Sequence, residues 1–231
     1  MWKTFTDAFY LNFVSDNRWK YLTEGLKTTL IITFFACLMG IVLGFLVGMI
    51  RSTYEKTHKL KVLNAICKVY LTVIRGTPVV VQLLIIYFVV FGSVRVDKVI
   101  VAILAFGVNS GAYVAEIFRA GILAVDSGQT EAARSLGLSQ WQAMKLVVLP
   151  QAVKNVLPAL ANEVVTMVKE SSVCSAYGMG ELMFAAKNVS GTTLISVGPF
   201  VFIALIYFCI NFPASKAIEA IERRMRRGDK R

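Results

Sequence analysis

The chain has 231 residues, of which 56% are hydrophobic and only 17% are charged. A soluble domain of this size is nearer half apolar and one quarter charged. The apolar excess lies in long blocks, which predicts an integral membrane protein. The net charge of +11 comes mainly from basic residues at the ends of those blocks and in the C-terminal tail. Contact with a lipid bilayer explains this placement. The sequence shows no basic surface interleaved with aromatic residues, which is the pattern that would predict a nucleic-acid partner.

Residue types that form catalytic and metal sites are sparse. The four cysteines have no paired spacing, and a single histidine, His58, leaves no plausible zinc set. The chain also lacks a nucleophile elbow and a His near a Ser or Cys candidate. We therefore do not expect an enzyme.

The N-terminal part of the chain predicts an interfacial segment followed by a tightly packed span. Residues 1–27 mix aromatic and charged side chains, which is typical of a segment that lies on the membrane. The first span is expected over residues 28–50. Small residues recur at every fourth position of this span: Ala36, Gly40, Gly44 and Gly48. This spacing lets a neighbouring helix approach closely.

A basic cluster at residues 51–61 follows the first span and marks the cytoplasmic side, which places the N-terminus outside. Residues 60–74 are amphipathic. Pro78 cannot donate a backbone hydrogen bond and biases Thr77 away from the α conformation, so a helix break is expected there. A short second span follows over residues 79–91.

Three further spans are expected over residues 99–120, 151–168 and 194–212. On the third, Glu116 and Arg119 are one helical turn apart and can pair. The fourth is the least apolar and carries Glu163 within the span. Ionisable groups inside a membrane face the bundle interior or a water-filled path. The residue pattern leaves both roles, structural pairing and contact with a substrate, open for Glu163.

A polar, helix-forming island lies between the third and fourth spans, from Glu131 to Pro150. Its first residues favour a helix, and Gly137 can end that helix because glycine tolerates positive φ. Ser139 then stands where the N-cap of a second short helix belongs. Pro150 can open the next helix.

Three motifs of this chain, in order, resemble those of ABC-importer permeases for polar amino acids of the histidine, glutamine and arginine type. The first is the helix break at Arg75-Gly76-Thr77-Pro78 with Gln82 after it. The second is SGAYVAEIFRAGI together with the polar island from Glu131 to Pro150. The third is ANEVVTMVKESS on the fourth span. The resemblance implies an all-α, type I ABC-importer permease fold of five transmembrane helices, with the N-terminus outside and the C-terminus cytoplasmic. The whole chain is then one transmembrane domain, with coupling helices at residues 127–149 and a basic cytoplasmic tail at residues 214–231.

The same resemblance implies roles for particular residues. Contact with an ATPase subunit falls on Glu131, Ala132, Ala133 and Gly137. The candidates for the substrate path are Arg75, Thr77, Gln82, Asn162, Glu163 and Glu170. The implied mechanism is alternating access, in which closure of the ATPases moves the coupling loops and turns the path outward.

The implied partners are two ATP-binding cassette ATPase subunits, a second permease subunit and an external solute-binding protein, all at the plasma or inner membrane. An independent observation supports this division of labour. A phosphate-binding loop for ATP needs a Gly-Lys pair, which this chain lacks. No cofactor is therefore expected on this chain, and ATP and Mg²⁺ are expected on the partner ATPase.

Two other classes of protein remain open at this point. One is an ion-coupled secondary transporter or channel subunit, although the chain has no internal inverted repeat of the kind many such carriers show. The other is a membrane-embedded enzyme or an assembly scaffold, and the sparse catalytic residues argue against the enzyme. The polar residues of the fourth span include both signs of charge, so they do not identify the amino acid. The sequence also leaves open whether the second permease is an identical or a related chain.

Overall fold

The computed structural model describes residues 2–228, and the side chains of residues 6–55 and 57–225. This part of the chain is helical, as expected, and contains ten α-helices. They are α1 Trp2–Phe9, α2 Trp19–Thr57, α3 Lys61–Gly76, α4 Val79–Ile85, α5 Lys98–Leu123, α6 Ser127–Ser135, α7 Gln140–Ala143, α8 Leu149–Glu170, α9 Leu182–Thr193 and α10 Val197–Gly228. Short π-helical or 3₁₀ turns follow four of them, at Tyr10–Val14 and Ser15–Asn17, Ile86–Val90, Met144–Val148 and Ser171–Tyr177.

Three helices of the described chain are long and apolar enough to cross a membrane, within α2, α5 and α10. The segment formed by α3 and α4 is a fourth candidate, bent by 107° at its break. The 22-residue α8 is not among these candidates because it is too polar. The predicted count of five spans and their orientation therefore stay predictions.

The helix break at Pro78 is confirmed. Helix α3 ends at Gly76, and Thr77 adopts extended backbone angles of φ −122° and ψ 145°.

Two helices are longer than the expected spans. Helix α2 already begins at Trp19, inside the segment expected to lie on the membrane, and α10 continues through Pro213 to Gly228. The basic tail, as far as it is described, is therefore a continuation of the last helix.

The chain divides into two compact units, which are described separately. The first contains residues up to Ala36, Val79–Phe106 and Val165–Ser215. In its core, Phe13, Leu182 and Ile203 are buried together. The fully buried Glu181 is the N-cap of α9 and accepts hydrogen bonds from the backbone N–H groups of Met183 and Phe184, each at 2.8 Å.

The second unit contains Cys37–Pro78, Gly107–Val164 and residues from Lys216 onward. Its centre is a close contact between α2 and α5. A Cβ atom added at Gly44 would lie 2.5 Å from Val114 Cγ1 and 2.8 Å from the backbone nitrogen of Ala115, and one added at Gly40 would lie 2.8 Å from Ser110 Oγ. The small residues of α2 therefore act in packing, as their spacing predicted.

We expect Gly44→Ala to lower the free energy of unfolding by about 1–3 kcal/mol, the usual cost of overpacking. The added methyl group meets the backbone of α5, which cannot rotate away as a side chain can. Thermal unfolding of the purified protein in detergent measures the change. The matched control is Gly191→Ala on α9, where a Cβ atom meets nothing within 4 Å. Equal melting temperatures of the Gly44→Ala variant and the parent would contradict the close contact.

Candidate functional site

The polar island forms two short helices joined by a tightly hydrogen-bonded turn. Asp126 is the N-cap of α6, and its side chain accepts a hydrogen bond from the N–H of Gly128 at 2.7 Å. At the other end of α6, the N–H of Leu138 donates to the carbonyl of Ala133 and the N–H of Gly137 to that of Arg134. This pair of bonds is a Schellman motif, which needs a left-handed residue after the helix. Gly137 supplies it with φ +86°.

Helix α7 starts directly after this turn with a reciprocal capping box. The N–H of Gln142 donates to Ser139 Oγ at 3.3 Å, and the N–H of Ser139 donates to Gln142 Oε1 at 2.8 Å. At the C-terminus of α6 and the N-terminus of α7, these hydrogen bonds thus satisfy backbone donors and acceptors that a helix terminus otherwise leaves unpaired. The sequence prediction of a glycine turn followed by a Ser139 N-cap is confirmed, as is the start of α8 beside Pro150.

Apolar contacts fix the island to the rest of the second unit. Ile122 at the end of α5, Val148 before α8 and Ala152 within α8 are buried together, and Met49 of α2 packs against them. Gln151 Nε2 also donates to Gln129 Oε1 at 3.3 Å, which links α8 to α6. The two short helices are therefore held in a defined position.

The four residues assigned to the ATPase contact differ in exposure. Glu131, Ala132 and Gly137 are exposed, whereas Ala133 is buried, with 4% of its surface accessible. Glu131 also lines a cavity of about 590 Å³ beside α6 and α7. Sequence reasoning missed the most prominent side chains of the island. Leu136 is 84% exposed and Trp141 is 63% exposed, one on each side of Gly137.

A second candidate region follows one face of α8. Asn162 lies on the wall of a cavity of about 630 Å³ that is also lined by Lys154 and Asn155 of α8 and by Glu222 of α10. The adjacent Glu163 accepts a hydrogen bond from Ser110 Oγ at 2.9 Å. Helix α5 thus supplies a buried hydroxyl to the carboxylate that the sequence places within the fourth span.

The other path candidates lie elsewhere. The guanidinium of Arg75 is 3.8 Å from Glu116 and stands over the ring of Tyr113, and Thr77 Oγ1 donates to the carbonyl of Val73 at 2.8 Å. Gln82 is buried on α4, and Glu170 ends α8. Gln82 and Glu170 belong to the first unit, and the remaining candidates belong to the second.

Among the side chains of residues 6–55 and 57–225, no group of three or more His, Cys, Asp or Glu is arranged to hold a metal ion. The expected pair of Glu116 and Arg119 is confirmed, with 2.8 Å between the guanidinium and the carboxylate. Glu116 and Arg119, both in the second unit, thus form an ion pair on α5.

Comparison with known proteins identifies the family. Residues 27–227 match the family described as "binding-protein-dependent transport system inner membrane component". The chain belongs to this family. The arginine transport system permease protein of Bacillus subtilis is 36% identical over 212 residues, covering 90% of this chain and 94% of that protein. The glutamine transport system permease protein of Escherichia coli K12 is 34% identical over 208 residues, covering 89% and 93%.

Solved structures of two ABC transporters share the fold of this chain. An amino acid ABC transporter crystallised with histidines aligns with a TM-score of 0.82 and 40% identity, covering 89% of this chain and 94% of that chain. A methionine ABC transporter in inward-facing conformations aligns with a TM-score of 0.71, covering 90% and 99%, and at 22% identity it shows the fold alone. The expected type I ABC-permease fold is therefore confirmed.

We expect Gly137→Val to loosen the turn between α6 and α7. A residue with a Cβ atom in the left-handed region costs about 1–2 kcal/mol, and a β-branched one is strained further. Hydrogen–deuterium exchange should show faster exchange of the amides from Leu136 to Gln142. The matched control is Gly180→Ala, where a Cβ atom meets nothing within 4 Å and φ is not positive. Unchanged protection of these amides would contradict the role given to Gly137.

Proposed function

We propose that this chain is the membrane-spanning subunit of an ATP-driven importer for polar amino acids. Relatives that cover about nine tenths of both chains carry the names of arginine and glutamine permeases, and the 40% identical structure is that of an amino acid transporter. Because the alignments cover about nine tenths of each chain, they support the role of an amino-acid permease for this chain as well. It does not select one amino acid, since both arginine and glutamine permeases are near one third identical to this chain.

In this proposal, α6 and α7 are the element that a separate ATPase subunit holds. One observation carries it: two large apolar side chains, Leu136 and Trp141, are exposed on a turn whose backbone hydrogen bonds are satisfied. An exposed aromatic and an exposed leucine on a well hydrogen-bonded support suit a contact with another protein, because such anchors bind without a large loss of conformational entropy.

The residues predicted for coupling then take different roles. Glu131 offers an exposed negative charge to a basic partner surface, and Ala132 allows close approach. Ala133 is buried, so it serves by packing α6 against its own chain. Gly137 sets the angle between the two helices, which determines where Leu136 and Trp141 stand relative to each other.

The substrate path in this proposal centres on the polar face of α8. Asn162 lines a cavity and can present its amide to a ligand, and Glu163 is held by the hydrogen bond from Ser110. Thr77, Gln82 and Glu170 stay proposed path residues on the motif resemblance. Arg75 also stays in this group, although its guanidinium already pairs with Glu116.

The proposed assembly contains two permease subunits, two ATPase subunits that bind ATP and Mg²⁺, and an external solute-binding protein. ATP-driven closure of the ATPases moves the paired α6–α7 elements together and turns the path outward. The solute-binding protein then delivers its amino acid. We place the assembly in the inner membrane, in keeping with the family to which the chain belongs.

We expect Trp141→Ala to weaken binding of the ATPase subunit about thirtyfold, because aromatic anchors at interface centres contribute about 2 kcal/mol or more. Pull-down titration and ATPase activity stimulated by the solute-binding protein, both in the reconstituted complex, measure the effect. The matched control is Val197→Ala, which truncates a side chain that is 76% exposed at the start of α10. Parent-level binding and stimulation by the Trp141→Ala complex would reject the coupling assignment.

We expect Glu163→Gln to reduce amino-acid uptake into proteoliposomes by tenfold or more, since hydrogen bonds to a charged group contribute about 1.5–3 kcal/mol. The amide keeps the shape of the side chain, so ATPase binding should be unchanged. Glu219→Gln, which removes an exposed carboxylate paired with Lys216, is the control. If the Glu163→Gln transporter takes up substrate at the parent rate, Glu163 has a structural role only.

A further inference from the structure

Helix α3 has an exposed apolar face that no other part of the described chain covers. Four β-branched side chains, spaced four, three and four residues apart, project from one side of the helix. Each is more than half exposed: Val62, Ile66, Val69 and Val73. The opposite side packs into the core of the second unit through Cys67 and Leu71.

A row of cations runs along the same helix beside these two faces. Lys61, Lys68 and Arg75 recur at seven-residue intervals, and seven residues are close to two helical turns, so they share one side of α3. An apolar stripe next to a basic row is the pattern of helices that bind at the surface of anionic membranes.

The basic row borders a pocket. A cavity of about 390 Å³ is lined by Lys68, Thr72 and Arg75 of α3, by Arg51 of α2 and by Glu116 of α5, with Leu71 and Gly76 completing the wall. Three of its lining side chains are cations and one is a carboxylate. The cavity therefore concentrates positive charge beside an apolar helix face.

Neighbouring carboxylates do not balance this charge. Glu116 lies 2.8 Å from Arg119 and 3.8 Å from Arg75. Glu55 lies 3.4 Å from Arg119 and 3.6 Å from Arg51. Four cations, Lys68 included, thus surround two carboxylates, so two positive charges remain in excess.

The cluster is also short of hydrogen-bond acceptors. The Nε of Arg51 is buried and has no hydrogen-bond partner among the side chains that the structure describes or the described backbone. The other two nitrogens of this guanidinium have long contacts, one with the side-chain oxygen of Asn64 at 3.4 Å and one with Glu55 at 3.6 Å. A buried donor without an acceptor is costly, so an added anion with several acceptor oxygens stabilises such a cluster.

We propose that this pocket binds the phosphate of an anionic phospholipid, with an acyl chain lying along the Val62–Val73 face of α3. The excess positive charge complements a lipid that carries a net negative headgroup, and the apolar face lies on the same helix as the cations. A second copy of this chain fits less well, because it carries a net charge of +11 itself. The positive-inside rule places the site at the cytoplasmic leaflet.

Native mass spectrometry of the assembled transporter, titrated with phosphatidylglycerol, phosphatidylcholine or inorganic phosphate, tests this site. We expect phosphatidylglycerol to bind at least fivefold more tightly than phosphatidylcholine. Lys68→Gln should weaken phosphatidylglycerol binding about fivefold, the effect of one basic residue near an anionic surface. Lys68 is exposed, so this change leaves the core of the second unit intact.

The matched control is Lys61→Gln, which removes the same charge from the same row outside the cavity lining, and should change the affinity by less than twofold. Val69→Ser should weaken binding of both lipids. Equal losses in the two lysine variants would indicate general attraction and overturn the proposal. Saturable binding of inorganic phosphate without a preference for phosphatidylglycerol would overturn it, as would a change in the number of permease chains in the Val69→Ser assembly.

Discussion

The close contact between α2 and α5 is the constraint on which the second unit depends. Glycines at positions 40 and 44 let α5 approach so near that its Ser110 and Val114 lie against the backbone of α2. Ser110 is then fixed where its hydroxyl reaches Glu163 of α8. Further along α5, Arg119 pairs with Glu55 of α2 near the ends of the same two helices, and Glu55 also pairs with Arg51 of its own helix. Packing of the small residues of α2 thus determines where the polar side chains of the second unit form hydrogen bonds and ion pairs.

Local sequence signals predicted the features that depend on neighbours in the chain. The break at Pro78, the glycine turn, the Ser139 N-cap and the pair of Glu116 and Arg119 each involve residues within five positions of one another. Backbone preference and helical spacing determine such features directly. Recognition of three motifs extended this to the whole fold.

Contacts between distant residues could not be predicted in the same way. Ser110 meets Glu163 across 53 positions, and Tyr70 donates to the carbonyl of Val108 across 38. Both bonds require the helices to be packed first. The exposure of Leu136 and Trp141 was missed for a related reason. The sequence of a short polar segment does not determine whether an apolar residue in it is buried or exposed, because this depends on the packing of the helices.

The paired motifs at Gly137 and Ser139 have a consequence for how such transporters diversify. The turn takes its shape from its own backbone bonds, and residues that line the α8 cavity play no part in those bonds. In the proposed function, the surface that contacts the ATPase and the surface that contacts the amino acid can therefore change independently. A permease of the proposed kind can then acquire a new substrate while it still binds the same ATPase subunit.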